Sequence, residues 1–151
     1  MNSDFKELLQ ALNAQDVEYL IVGGYAVIFH TEPRFTKDLD IWVKPDGRNA
    51  GKLMEAFRSF GLPLIDIEES DFTASGTQYM IGVPPVAVDF LTSIGELDFG
   101  YCWNRRVADD IDGIPVNYLG RDDLIESKRS ADREEDRADL RKLEGPGNTE
   151  S

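Results

Sequence analysis

The sequence predicts an α/β domain, and three observations carry that expectation. Four short runs, Tyr19–Val22, Asp38–Val43, Gln78–Val83 and Val86–Leu91, have the length and the β-branched or aromatic content of strands. Stretches with apolar residues at helical spacing lie between and around them. A charged helical region, Arg121 to Leu143, closes the chain. The 151 residues suit one domain, residues 1–144, with enough material for a real core.

Taken in order, Ser3 or Asp4 is the expected cap of a first helix that buries Phe5, Leu8, Leu9 and Leu12. Strand Tyr19–Val22 runs into Gly23-Gly24, and a short helix follows over Tyr25 to Phe29. The strand Asp38–Val43 alternates, so Asp38, Asp40 and Trp42 share one face and Leu39, Ile41 and Val43 the other. Pro45-Asp46-Gly47 breaks the chain. A helix from about Asn49 to Phe60 presents Leu53, Met54, Phe57 and Phe60 to the core. Residues 61–77 read as loop, with short strand pieces around Ile65 and Phe72. Strands Gln78–Val83 and Val86–Leu91 flank Pro84-Pro85 as a hairpin. Gly95 to Arg105 is ambiguous, with a short helix as one reading, and Asp112-Gly113 is a strong hairpin turn between Arg106–Ile111 and Ile114–Leu119. Gly145-Pro146-Gly147-Asn148 ends the last helical region, leaving residues 145–151 as a tail expected to be disordered.

Hydrophobic residues at 41% and aromatics at 10% indicate a globular chain. A net charge of −13 argues against a broad basic surface that coats nucleic acid, though not against a local basic pocket. Cys102 is the sole cysteine, which excludes an internal disulfide and suits a reducing compartment. The N-terminal stretch lacks the apolar core of a signal peptide, and no run approaches membrane-spanning length. The expected location is the cytoplasm, with no membrane partner. One histidine rules out a credible Ser-His-Asp set, and no His/Cys cluster has zinc spacing.

Two carboxylates side by side on a strand face repel each other unless a cation sits between them, and hard cations such as Mg²⁺ take oxygen ligands. The plainer reading is a solvated polar face with Lys37 and Lys44 as ion-pair partners. Asp89 stands in an apolar run, with Val86, Val88 and Phe90 on the opposite face. A buried carboxylate there needs a partner, a hydrogen bond or a metal. Gly23-Gly24 lets the backbone approach a ligand closely, and a helix starting there aims free N–H groups at an anion. A phosphate cradle beside a carboxylate pair is equipment for a metal-bound nucleoside triphosphate.

Gly23-Gly24, thirteen residues, then Asp38-x-Asp40, with Asp89 on a later strand, resembles the signature of the DNA polymerase beta-like nucleotidyltransferase superfamily. The wording GGYAVIFHTEPRFTKDLDI and the late LIESKRSADREEDRADL look most like the small nucleotidyltransferases related to abortive-infection (type IV) toxins, over roughly residues 17 to 143. The resemblance implies the minimal nucleotidyltransferase fold, a mixed central β-sheet flanked by helices with a C-terminal helical region. It implies metal-assisted transfer of an NMP group from an NTP, such as ATP, to an acceptor hydroxyl, with pyrophosphate released. Two Mg²⁺ or Mn²⁺ ions would be held by Asp38, Asp40 and Asp89, the catalytic residues, roughly 3.5–4 Å apart. Gly23, Gly24, Arg34, Lys37 and Lys128 are the implied nucleotide-binding set. The acceptor is an RNA end such as tRNA, a protein or a small molecule. A cognate antitoxin or a homodimer is the expected macromolecular partner.

The late block Lys128, Arg133, Asp136, Asp139 resembles the family's late Lys…Arg-x-x-Asp-x-x-Asp pattern, which implies Lys128 as a phosphate-binding cation; Asp136, Leu140 and Leu143 share a helical face, and Arg133 is one turn from Asp136. The plainer reading is a salt-bridged surface helix. Gly is frequent in the family where this chain has Asp132. His30 closes the short helix, with catalysis the lesser reading. Trp42 shares the carboxylate face and is a candidate for base stacking, whereas Trp103 is read as core. The alternatives are a catalytically inactive nucleotide-binding module on the same fold, favoured less because the carboxylate triad is intact, and a Ca²⁺-binding α/β protein, which lacks the looped oxygen cluster that ion needs.

Overall fold

The computed structural model describes residues 1–36, 38–83 and 86–149. It is an α/β structure: a six-stranded mixed sheet flanked by helices. The strands are β1 (Tyr19–Val22), β2 (Asp38–Val43), β3 (Gln78–Val83), β4 (Val86–Leu91), β5 (Val107–Ile111) and β6 (Ile114–Tyr118), in spatial order β3-β4-β2-β1-β6-β5. β2 pairs parallel with β4 and antiparallel with β1, and β1 pairs parallel with β6. The two hairpins, β3–β4 and β5–β6, form the two edges of the sheet. Asp112 and Gly113 both have positive φ, +51° and +86°, as the tight β5–β6 turn demands. Pro84-Pro85, expected as the other turn, lies outside the described residues.

Helix α1 (Ser3–Ala14) buries Phe5, Leu8, Leu9 and Leu12 as its periodicity requires. Its cap is neither Ser3 nor Asp4: the Asn2 side chain accepts from the Asp4 N–H at 2.7 Å. Helix α2 (Gly23–His30) starts on the glycine pair itself, two residues before the expected helix. Helix α3 (Gly47–Phe60) is capped by Asp46, whose carboxylate accepts from the Asn49 N–H, and stops at Gly61 in the left-handed region. It buries Leu53, Met54 and Phe57, while Phe60 is only half-buried. Asn49 is itself buried and bonds Glu18 N–H, Glu18 C=O and Lys44 C=O, tying the start of β1 to the end of β2.

No strand forms around Ile65 or Phe72. Ile65 is 82% exposed, and Glu69–Phe72 is a single 3₁₀ turn that drops Phe72 against Phe57. Its capping box, built from Glu68 and Asp71, outweighs the local apolar content. Helix α4 (Phe99–Asn104) fills the ambiguous segment. The late helical region is two helices, α5 (Arg121–Ala131) and α6 (Glu134–Thr149), broken at Asp132. Gly145 kinks α6, and helical backbone resumes to Thr149. Of the tail, residues 150 and 151 lie outside the described residues.

The two faces of β2 sort the helices. The Leu39, Ile41 and Phe90 side is packed by α3, with Phe57 edge-on to Phe90 at 5.0 Å between ring centres. On the Asp38–Asp40 side, α4 covers only the far end, through Phe99 against Trp42. Among the described residues, no helix is long and apolar enough to cross a membrane.

Candidate functional site

Parallel pairing of β2 with β4 sets Asp40 directly opposite Asp89, and Asp38 opposite Ala87. Paired residues project to the same face, so the three carboxylates meet on one side of the sheet. Asp89 is buried, and Asp38 and Asp40 are half-buried. Burial, reinforced by the charges of Asp89 and Asp38, pushes the Asp40 carboxyl up to about 7, with Lys128 opposing, and Asp40 shares a hydrogen bond with Asp89. Asp38 Oδ1 and Asp89 Oδ1 are buried with no hydrogen-bond partner among the described residues. Orphaned carboxylate oxygens are costly, and a hard divalent cation is one kind of ligand that such oxygens take. The donor set fits Mg²⁺ or Mn²⁺ in chemistry. In this side-chain arrangement, however, no group of three His, Cys, Asp or Glu side chains among the described residues converges on one point.

Val22, extended, precedes α2 and offers no side-chain cap, so the first N–H groups of α2 are without a side-chain acceptor. Gly23 has φ +63°, and a Cβ there would be driven into the Asp40 carboxylate. A Cβ on Gly24 would lie 2.5 Å from Thr36 Oγ1. The glycines thus let the helix start press against β2 and the loop before it. Gly23→Ala should therefore lower stability by about 2 kcal/mol or more, from the left-handed strain and the clash. That is a drop of roughly 4–8 °C in the thermal midpoint. An unchanged melt would mean that the helix start does not touch Asp40.

Lys128 and Asp136 come from the last two helices. Lys128 is 9% exposed, with Nζ 3.2 Å from both Asp136 Oδ1 and Asp139 Oδ2. Asp136, fully buried, also accepts from the Arg133 N–H, Nε and NH2 groups. Burial alone would raise its carboxyl, but the bonds from Arg133 and Lys128 hold it down to about 2. Asp132 takes the left-handed conformation, φ +49°, that turns α5 into α6, and Arg137 Nε donates to its carboxylate at 3.0 Å. The position where the resembled family often has Gly is thus one that needs positive φ, which Asp tolerates better than most residues.

Gly23, Gly24, Arg34, Asp38, Asp40, Asp89 and Lys128 all line one open cleft of about 780 Å³. Lys37 lies outside the described residues. No family model and no curated protein matches the chain. The functional reading therefore stands on the residues and their geometry.

Several expectations change. Lys44 pairs with Glu18 and Asp46, not with the carboxylates of the cleft. Trp42 is 1% exposed beneath Phe99, so it is closed to a base. Trp103 is half-buried, stacked on Phe99, with the Arg106 guanidinium 3.9 Å over its ring. His30 Nε2 bonds the Leu119 carbonyl at 2.8 Å, joining the end of α2 to the end of β6, and it does not line the cleft. Burial lowers its pKa. The cleft also recruits Gln78, Arg133, Asp139 and Lys142, as well as Phe35, 77% exposed at the rim. Nothing in the local pattern singles out Gln78, Lys142 or Phe35. For Arg133 and Asp139, the three-residue spacing around Asp136 is a signal of a shared cluster, but not of a cleft.

Proposed function

We propose that the chain is a metal-dependent nucleotidyltransferase, moving an NMP group from an NTP to an acceptor hydroxyl with release of pyrophosphate. The observation that carries this reading is the in-register pair Asp40 and Asp89, flanked by Asp38, with two orphaned oxygens beside the uncapped start of α2. It agrees with the sequence resemblance to the DNA polymerase beta-like superfamily and its small toxin-type members.

Asp38, Asp40 and Asp89 would hold two Mg²⁺ or Mn²⁺ ions, which when bound neutralise the phosphates and lower the pKa of an acceptor hydroxyl. Asp40, whose carboxyl is pushed up to about 7, would have to ionise fully to serve as a ligand. The Gly23 and Gly24 amides face the outer phosphates, aided by the positive end of α2. Arg34 and Lys128 add positive charge on the same side and stabilise the departing pyrophosphate. Asp89 accepts the proton of the attacking hydroxyl. The acceptor is an RNA end, a protein or a small molecule. The chain works in the cytoplasm, with an antitoxin or a second copy as partner.

One observation favours a second reading, an inactive nucleotide-binding module. Lys128 is already engaged by two carboxylates, which leaves it less free to meet phosphate. Thermal melts with Mg²⁺ and each NTP test the shared part of both readings, because a ligand of the native state must raise its stability. The Asp38→Asn, Asp40→Asn double variant should lose that increment. Without ligand it should melt no lower than the parent at pH 8. A carboxyl raised from 3.8 to about 7 stabilises the fold only while protonated, and that contribution is lost as pH rises through 7. A metal-dependent increment that survives in the double variant would remove the carboxylates from the site. Labelled NTP with Mg²⁺ and fractionated cell extract then identifies the acceptor.

A further inference from the structure

A single oxygen, Asp139 Oδ2 on α6, stands between two of the cations that line the cleft. It is 3.2 Å from Lys128 Nζ of α5 and 3.4 Å from the Arg34 NH2 group in the loop before β2. The Arg34 guanidinium in turn overhangs the start of α2: a Cβ on Gly24 would lie 3.5 Å from its NH2 group. Asp139 is buried, and all three side chains line the cleft that holds Asp38, Asp40 and Asp89. An anionic oxygen therefore already occupies the place where two cations and the uncapped helix start converge. We infer that Asp139 is a built-in surrogate for a phosphate oxygen, which the phosphate chain of a nucleoside triphosphate displaces on binding; this rests on the nucleotide-site reading above.

The physical argument is competition for the same donors. Lys128 is buried and shares its charge between Asp136 and Asp139, while Arg34, more exposed, finds a compensating anion in Asp139. Asp139 supplies that compensation in the empty site and keeps the cations aimed. An incoming phosphate offers more charge and more acceptor oxygens to the same two groups. Once displaced, Asp139 loses its ion-pair partners, while Lys128 keeps Asp136. α6 is then held to the cleft by fewer bonds. Asp139 thus sets the affinity for the triphosphate, and it couples occupancy of the cleft to the docking of α6.

The test is calorimetric titration of Mg²⁺ with α,β-methylene-ATP, which cannot undergo α-phosphoryl transfer. It compares the parent, Asp139→Asn, Arg34→Gln and the double variant. Asp139→Asn should bind roughly tenfold more tightly, because the amide keeps the shape but frees both cations. Most of that gain should vanish when Arg34→Gln is added, as a coupled pair requires. Equal or weaker binding by Asp139→Asn, with the parent binding normally, overturns the surrogate and leaves the nucleotide site standing. Absence of binding by every protein overturns both. A second measurement needs no variant: hydrogen exchange over residues 134–144 of the parent should quicken on saturation with the analogue, although the protein as a whole becomes more stable. Slower exchange there overturns the proposal.

Discussion

Asp89→Asn should release pyrophosphate more slowly than the parent by a factor on the order of 10²–10³, the usual cost of removing one preorganised electrostatic contact to the reacting centre. Its affinity for a metal-bound NTP should change far less. Asp89 sits directly across from Asp40, whereas the Gly23-Gly24 amides, Arg34 and Lys128 come from other elements: the start of α2, the loop before β2, and α5. Binding of the outer phosphates therefore survives the change, and the loss falls on kcat. The variant should fold. Asn keeps the shape, its amide can keep the hydrogen bond to Asp40, and Asp89 Oδ1 has no partner among the described residues to lose. Removing one charge also relieves the repulsion that raises the Asp40 carboxyl. The measurement is pyrophosphate release with the acceptor fraction, alongside titration with NTP. Equal release by both proteins would exclude Asp89 from the chemistry. Tight NTP binding with no release from the parent would move the assignment to the inactive module.

Asp136→Ala should be the most destabilising single change in the helical region, costing about 3–5 kcal/mol. Asp136 is wholly buried and accepts from the Arg133 side chain, the Arg133 amide and Lys128. Its removal leaves Lys128 buried with Asp139 alone and frees the turn between α5 and α6. The thermal midpoint should fall by roughly 10 °C. The same carboxylate gives a pH signature. Its folded pKa, about 2, lies below the ordinary 3.8. Its contribution is therefore present above pH 4 and is lost as pH falls through 2, an effect of about 2 kcal/mol. Urea midpoints for the parent and for Asp136→Asn should converge over that range. Parallel pH profiles would show that Asp136 is not held ionised by Arg133 and Lys128.

Local pattern was enough for most of the architecture. Each strand run and each strong turn depends on neighbours within a few residues. Tyr19–Val22 can only be a short buried element, and Asp112-Gly113 can only turn tightly. The misreadings lie where two local signals compete. Ile65 and Phe72 looked like strand, but Glu68 and Asp71 cap a 3₁₀ turn that delivers Phe72 to the core. Asp132 in a charged run resembles helix interior, yet its left-handed φ splits the region in two.

The candidate site divides the same way. Alternation along β2 placed Asp38 and Asp40 on one face, and the apolar run around Asp89 marked it as a carboxylate in need of a partner. Only the parallel register of β2 and β4, made across 49 residues of chain, decided that Asp40 and Asp89 would be neighbours and that the charge of Asp89 would help raise the Asp40 carboxyl. Arg34 and Asp139 are 105 residues apart, and no spacing rule links them. Periodicity reports which face a side chain takes, because that depends on backbone geometry a few residues long. Which charges compensate each other depends on how helices and strands dock, and the sequence leaves that to the packing of the whole core.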